Sequence, residues 1–206
     1  KKQPKSCNKS FLFISLHYKS IKDMKFARII PGYDHLWAVR DESQKADELT
    51  RLFQRWNNAN YLLDFFLANL EDLQGFFHIE KISDAIKDTM EDAEELERLI
   101  LEFPYTEHLD ELFHPLSLSD NRMRELTREK ARNWDRKKHA SWLRIYAIRI
   151  EPNVYIITGG TIKLTAKMQD RKHTQIELDK LNICREYLIQ NGVFDQDSFV
   201  DYIKEE

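Results

Sequence analysis

The spacing of apolar residues changes character three times along the chain. Residues 26–30 and 36–39 are β-favouring runs separated by Pro31-Gly32, a pattern that predicts a hairpin-like opening within residues 24–42. From Ala46 the period lengthens: Leu49, Leu52, Phe53, Trp56, Leu62, Leu63, Phe66, Leu67, Leu70 and Leu73 recur mostly at three- and four-residue intervals. That is the signature of an amphipathic helix or helical pair, and Asn57, Asn58 and Asn60 mark a break near its middle. Ser83 is placed to cap a second helix running through Ile86, Met90, Ala93, Leu96, Leu99 and Ile100 to about Phe103, where Pro104 stops it. Short helices are expected over residues 108–113 and 121–134.

The third texture is β-rich. Residues 142–150 (WLRIYAIRI), a Pro152-Asn153 turn and residues 154–158 (VYIIT) form the clearest hairpin in the chain. Gly159-Gly160 permits a tight reversal or a bulge, with residues 162–165 as a third strand. Strand alternation places Trp142, Arg144, Tyr146 and Ile148 on one face and Leu143, Ile145, Ala147 and Arg149 on the other. Thr174 and Glu177 make a T-x-x-E capping pattern that opens a helix through Leu178, Leu181, Cys184, Tyr187 and Leu188, ended by Gly192. A final short helix is expected over residues 198–204. The fold class is α+β.

Composition allows a substantial core in 206 residues, 42% of them hydrophobic. The two cysteines, Cys7 and Cys184, form no CxxC pair, which points to a reducing compartment and a cytoplasmic location. No apolar run approaches the ~20 residues of a membrane span, and residues 11–16 are too short for the apolar region of a signal peptide. Residues 1–23 read as a poorly patterned extension, with Met24 the expected natural start.

Charge divides the chain. Residues 43–112 hold six basic residues against seventeen acidic ones, whereas residues 122–172 hold fourteen basic against five acidic, so a net charge of −3 conceals two opposed regions. The plain reading is mutual balance across an internal interface. The functional reading is that the interleaving of Arg144, Arg149, Lys163, Lys167, Arg171 and His173 with Trp142, Tyr146 and Tyr155 suits a phosphate-rich, base-stacking partner, with Lys130, Lys137 and Lys138 adding to the positive field. Most catalytic motifs are missing. Gly159-Gly160 is neither GxGxxG nor GxxxxGK[ST]; His139-Ala140-Ser141 has no second H-x-S or H-x-T; and the seven histidines lack metal-ligand spacing, so neither a metal nor another cofactor is expected.

The order Leu143-Arg144-Ile145-Tyr146, then Val154-Tyr155-Ile156-Ile157-Thr158-Gly159-Gly160, then Ile162-Lys163-Leu164-Thr165 and a helix from Thr174 resembles the RelE/HigB-like toxins of type II toxin–antitoxin systems, phage-derived members included. The resemblance covers residues 141–188. This chain departs from it in length, in the intervening acidic segment, and in lacking a proline after the Lys163 strand. It implies a small antiparallel twisted sheet with flanking helices in residues 121–206, the acidic helical segment of residues 43–120 being an insertion. It also implies a metal-independent ribonuclease that cleaves mRNA, commonly on the ribosome, neutralised by a cognate antitoxin protein. Arg144 and Lys163 match the pattern residue by residue. Such chemistry needs a base for the 2′-hydroxyl, a cation for the pentavalent phosphorane and an acid for the leaving oxygen. Arg144 would stabilise charge, Lys163 would do the same or donate a proton, His139 or His173 would be base or acid, and Tyr146 would stack on a base.

The plainer alternatives are a salt-bridging Arg144, a solvated Lys163, a core Tyr146 and surface or capping histidines. A non-catalytic RNA- or protein-binding module on the same scaffold is the competing function. A third expectation follows from the charge split, namely that the acidic helices fold over the basic sheet and occupy its nucleic-acid face.

Overall fold

The computed structural model describes residues 24–102, 109–116, 126–133, 139–167 and 170–205. Among them the chain runs β1 (Met24–Arg28), β2 (Leu36–Asp41), α1 (Glu48–Trp56), α2 (Ala59–Ala68), α3 (Leu70–Phe77), α4 (Ile82–Glu102), α5 (Leu109–Leu112), β3 (Phe113–Pro115), β4 (Thr127–Ala131), β5 (Leu143–Glu151), β6 (Val154–Ile162), α6 (Lys172–Gln190) and α7 (Gln196–Glu205). It is an α+β fold. The six strands make one sheet in the order β1-β2-β6-β5-β4-β3, antiparallel throughout except for the parallel pair β2 and β6. The sheet is therefore mixed rather than antiparallel, because the opening hairpin joins alongside β6 instead of forming a separate element.

Each face of the sheet buries its own core. Leu143, Ile145, Ala147, Tyr155, Ile157 and Ile162 meet Leu52, Trp56, Phe66, Ala93 and Leu96 of α1, α2 and α4 on one face. Tyr146, Ile148, Ile150, Val154 and Ile156 meet Leu181, Cys184 and Leu188 of α6 and Phe199 of α7 on the other. The two faces draw on the expected alternation along β5, except at Trp142, which precedes the strand and turns to the helical layer.

Local chemistry explains most boundaries. Asp47 caps α1 through Thr50 N at 3.0 Å, and Asn58 caps α2 through Tyr61 N at 3.0 Å, so the asparagine cluster breaks the long apolar pattern by starting a new helix. α4 begins at Ile82, one residue before the expected cap, and Ser83 bonds weakly to the Asp84 side chain instead. At α6 the capping box does not form. Thr174 Oγ1 donates to Arg171 O at 2.8 Å, and Glu177 is drawn away to Lys180.

Two expectations need larger correction. Of the helix expected over residues 121–134, residues 127–131 are strand β4, paired with β5 from Thr127 opposite Arg149 to Ala131 opposite Ile145. Arg128, Lys130 and Arg132 alternate there with Glu129 and Ala131, and pairing satisfies a backbone that Leu126, at φ 57°, turns out of helical geometry. Residues 121–125 and 134 lie outside the described residues. Likewise residues 162–165 form no third strand; β6 runs through Gly159-Gly160 to Ile162 with a bulge. The helix expected over 108–113 is α5, with Phe113 already in edge strand β3, so the acidic segment contributes a strand to the sheet. No helix among the described residues is long and apolar enough to cross a membrane.

Candidate functional site

The bulge in β6 decides which residues share a face. Tyr146 pairs with Gly159 and Ala147 with Ile157, leaving Thr158 as the extra residue. A one-residue offset inverts every later side chain. Ile162 consequently joins the helical-layer core, while Thr161 and Lys163 turn to the face that carries Tyr146. Without the bulge, Lys163 would point away from Arg144.

On that face a row of cations crosses three strands. Lys130 of β4 stands opposite Tyr146 of β5, which stands opposite Gly159 of β6. Two residues along lie Arg132, just beyond β4, and Arg144, within β5 and opposite Thr161 of β6; Lys163 follows Thr161 two residues later, just beyond β6. Lys163 is held in line by its backbone amide, which donates to Trp142 O at 2.8 Å. All four cations are half-buried. Burial, followed by the mutual repulsion of these groups, holds Lys163 and Lys130 below the ordinary lysine value, Arg144 being the strongest repeller of each. Burial and then Arg132 push Arg144 down to about 10, against weaker opposing pulls from Tyr146 and Asp92.

Backbone carbonyls hold three members of this row. Arg144 Nη1 donates to the carbonyls of Ser141 and Leu143, Lys130 Nζ to Leu116 O at 3.4 Å, and Lys163 Nζ to Ala166 O at 2.6 Å. Among the described residues none of these three forms an ion pair with an acidic side chain. Tyr146 pairs with Lys130 and Gly159, with Arg144 and Glu177 as its charged neighbours; it is 1% exposed, and among the described residues its buried hydroxyl has no hydrogen-bond partner. Burial raises its pKa, so the phenol keeps its proton as a donor.

A carboxylate network flanks the row on the α6 side. Glu177 lies so close to Gly159 that a Cβ there would come within 2.2 Å of Glu177 Oε2. Burial raises the Glu177 pKa, and Lys180 bridges it to the buried Glu48 of α1, at 3.1 and 3.0 Å. Gly159 is thus required for this close approach, which is the meaning of a glycine inside a buried strand.

The expected site residues divide accordingly. Arg144, Lys163, Lys130 and Tyr146 come together, although Tyr146 is core and cannot stack on a base as placed. Trp142, also 1% exposed, is packed between Phe66, Phe77 and His139 on the helical side, with Nε1 donating to Thr89 Oγ1 at 3.0 Å, so its stacking role is corrected as well. Neither histidine joins the row. His139 Nε2 meets Asp88 Oδ2 at 3.2 Å and Nδ1 meets Ala140 O at 3.0 Å; His173 Nε2 donates to Ile162 O at 3.1 Å, its ring edge-on to Phe65, and burial lowers its pKa. Arg171 is clamped by Asp72 through two bonds. Lys167 is exposed beside Asp170. Lys137 and Lys138 lie outside the described residues. Arg132, Glu177 and Lys180 were missed. The alternation Arg128, Lys130, Arg132 signals the first once β4 is recognised.

The helices α1, α2 and α4 pack on the face of the sheet opposite Tyr146, and among the described residues Asp72 bonds to Arg171, Asp88 to His139, Asp92 to Ser141 and Asp110 to Arg149. Among the described residues no three His, Cys, Asp or Glu side chains are grouped to hold a metal ion. The chain matches no protein-family model, no curated protein and no solved structure.

Proposed function

We propose that this protein is a metal-independent ribonuclease of RelE/HigB-like type, acting on mRNA in the cytoplasm, with the ribosome as the setting and a cognate antitoxin as its neutralising partner. The observation that carries the reading is the row of Lys130, Arg132, Arg144 and Lys163, three of whose members, among the described residues, hold backbone carbonyls and no carboxylate. Half-buried cations that repel one another are unfavourable in isolation and become favourable around an oxyanion. Arg144 and Lys163 are the two residues that the RelE/HigB-like resemblance selects, and they share a face only because of the Thr158 bulge.

The chemistry is an internal displacement. The ribose 2′-oxygen attacks the adjacent phosphorus, the bond to the 5′-oxygen breaks, and the products are a 2′,3′-cyclic phosphate and a 5′-hydroxyl. Arg144 and Arg132 stabilise the charge of the phosphorane. With both histidines outside the row, Lys163 and Lys130 take the proton steps, since their lowered pKa values bring the neutral amine closer to working pH. The absence of either histidine from the row also favours a second reading, in which the same cations bind RNA without cleaving it.

Expression of the full chain under tight control, beside Arg144→Ala/Lys163→Ala, separates them. Growth arrest with mRNA cleavage, lost in the folded double variant, supports the ribonuclease. Cleavage that persists in that variant overturns the site, and binding without cleavage leaves the second reading.

A further inference from the structure

A buried hydroxyl with nothing to bond is costly, on the order of 1–3 kcal/mol, so its presence at one position calls for an explanation. Tyr146 is such a group. Its ring is held by the core that includes Ile148, Leu181 and Cys184, its neighbours across the sheet are Lys130 and Gly159, and Arg144 lies two residues away on the same strand face. The hydroxyl has no partner among the described residues. Nothing in the packing requires the oxygen, since a phenylalanine ring would fill the same core.

We infer that the Tyr146 hydroxyl donates a hydrogen bond to a phosphoryl oxygen of RNA held by Arg144, Lys130 and Lys163. This deepens the ribonuclease reading and rests on it only in taking RNA phosphate as the ligand. The phenol supplies what the cations lack, a neutral donor fixed from below by the sheet. It contacts the phosphate rather than a base, which reverses the stacking role expected from the sequence. The hydroxyl is closed to solvent, so the groups that enclose it must move on binding. Lys130 and Lys163 can turn to the same ligand. Each holds a loop carbonyl, at 3.4 and 2.6 Å, that a phosphate oxygen replaces with a charge-assisted bond.

The test uses a 2′-O-methyl RNA hexamer, which keeps its phosphates and cannot be cleaved by 2′-oxygen attack, with binding followed by fluorescence anisotropy. Tyr146→Phe is expected to unfold at or above the wild-type temperature, because it removes an unsatisfied oxygen and keeps the ring. Its affinity for the hexamer is expected to fall roughly ten-fold, the scale of one hydrogen bond to a charged group. Lys163→Met is measured alone and combined with Tyr146→Phe. Non-additive losses show that both side chains hold one ligand. Wild-type affinity in a folded Tyr146→Phe overturns the inference and leaves the cation row standing. Additive losses overturn the shared ligand, and a wild-type protein that does not bind the hexamer overturns it altogether. Cleavage of ordinary mRNA is read separately, so failure of the ribonuclease reading is told apart from failure of this one.

Discussion

Basic side chains from the second half of the chain fall into two sets that sit in different electrostatic surroundings. Arg171, Arg149 and His139 meet carboxylates of the acidic helical segment, at Asp72, Asp110 and Asp88. Among the described residues Lys130, Arg144 and Lys163 hydrogen-bond to carbonyls. Both sets come from the same run of sequence, yet they are separated by the sheet. The first fastens the helical layer to the strands and accounts for part of the charge split without any ligand. The second is left positive on the opposite face. A charge imbalance in sequence therefore divides into a structural fraction and an available one, and the sheet's register decides which cation belongs to which.

The fastened side should be the more fragile to truncation. Trp142→Ala removes a ring packed between Phe66, Phe77 and His139 and leaves Thr89 Oγ1 without its donor. Loss of a buried indole costs about 3–5 kcal/mol, measurable by denaturant unfolding. A loss below about 1 kcal/mol would mean that the helical layer is not seated on β5 as described. Asp110→Ala comes next. That carboxylate accepts from Arg149 Nη2 at 2.7 Å, Tyr155 Oη at 2.6 Å and Asn153 N at 2.8 Å, so roughly 2 kcal/mol is expected from three partners left without their acceptor.

The available side should respond with the opposite sign. Arg144→Met replaces a half-buried cation, pushed down to about 10 by burial and Arg132, with an apolar chain of similar length. Unfolding should show unchanged stability or a gain of about 1 kcal/mol, while affinity for single-stranded RNA falls. Arg144→Met that destabilises as Asp110→Ala does would erase the distinction between the two sets.

Much of this was legible beforehand and some of it was not. The helical middle and the β5-β6 hairpin follow from apolar period alone, because both elements bury one face against a layer that the same period defines. Arg144, Lys163, Lys130 and Tyr146 were also selectable, through charge and the RelE/HigB-like pattern. What the residues did not reveal is tertiary. Strand β4 was read as helix because its alternation is carried by Arg128, Lys130 and Arg132 rather than by apolar residues, so pairing with β5 overrides local appearance. Trp142 and Tyr146 were read as neighbours on one face, although Trp142 stands just outside the strand where alternation no longer holds. The Thr158 bulge was foreshadowed by Gly159-Gly160, but its effect on Lys163 depends on counting register across it.

The smallest expected effect concerns pH, and its sign distinguishes the available cations from the fastened ones. Lys163 and Lys130 have lowered pKa values, first through burial and then through Arg144. Between that lowered value and the ordinary 10.5, the unfolded chain binds more protons at these lysines than the folded one. Stability contributed by these groups therefore rises with pH through that window, since the folded state is relieved of a repelling charge that the unfolded chain still carries. Buried Tyr146, Tyr155 and Cys184, whose pKa values are raised by burial, contribute the opposite slope in alkali. The quantity to measure is thus the difference between wild type and Lys163→Met, from unfolding midpoints between about pH 8 and 10.5. That difference should shift in favour of the wild type as pH climbs, while RNA affinity of the wild type declines over the same range because a neutral amine no longer attracts phosphate. A flat difference would place Lys163 in an ordinary solvated setting, and a difference moving the other way would mean that a carboxylate pairs with it after all.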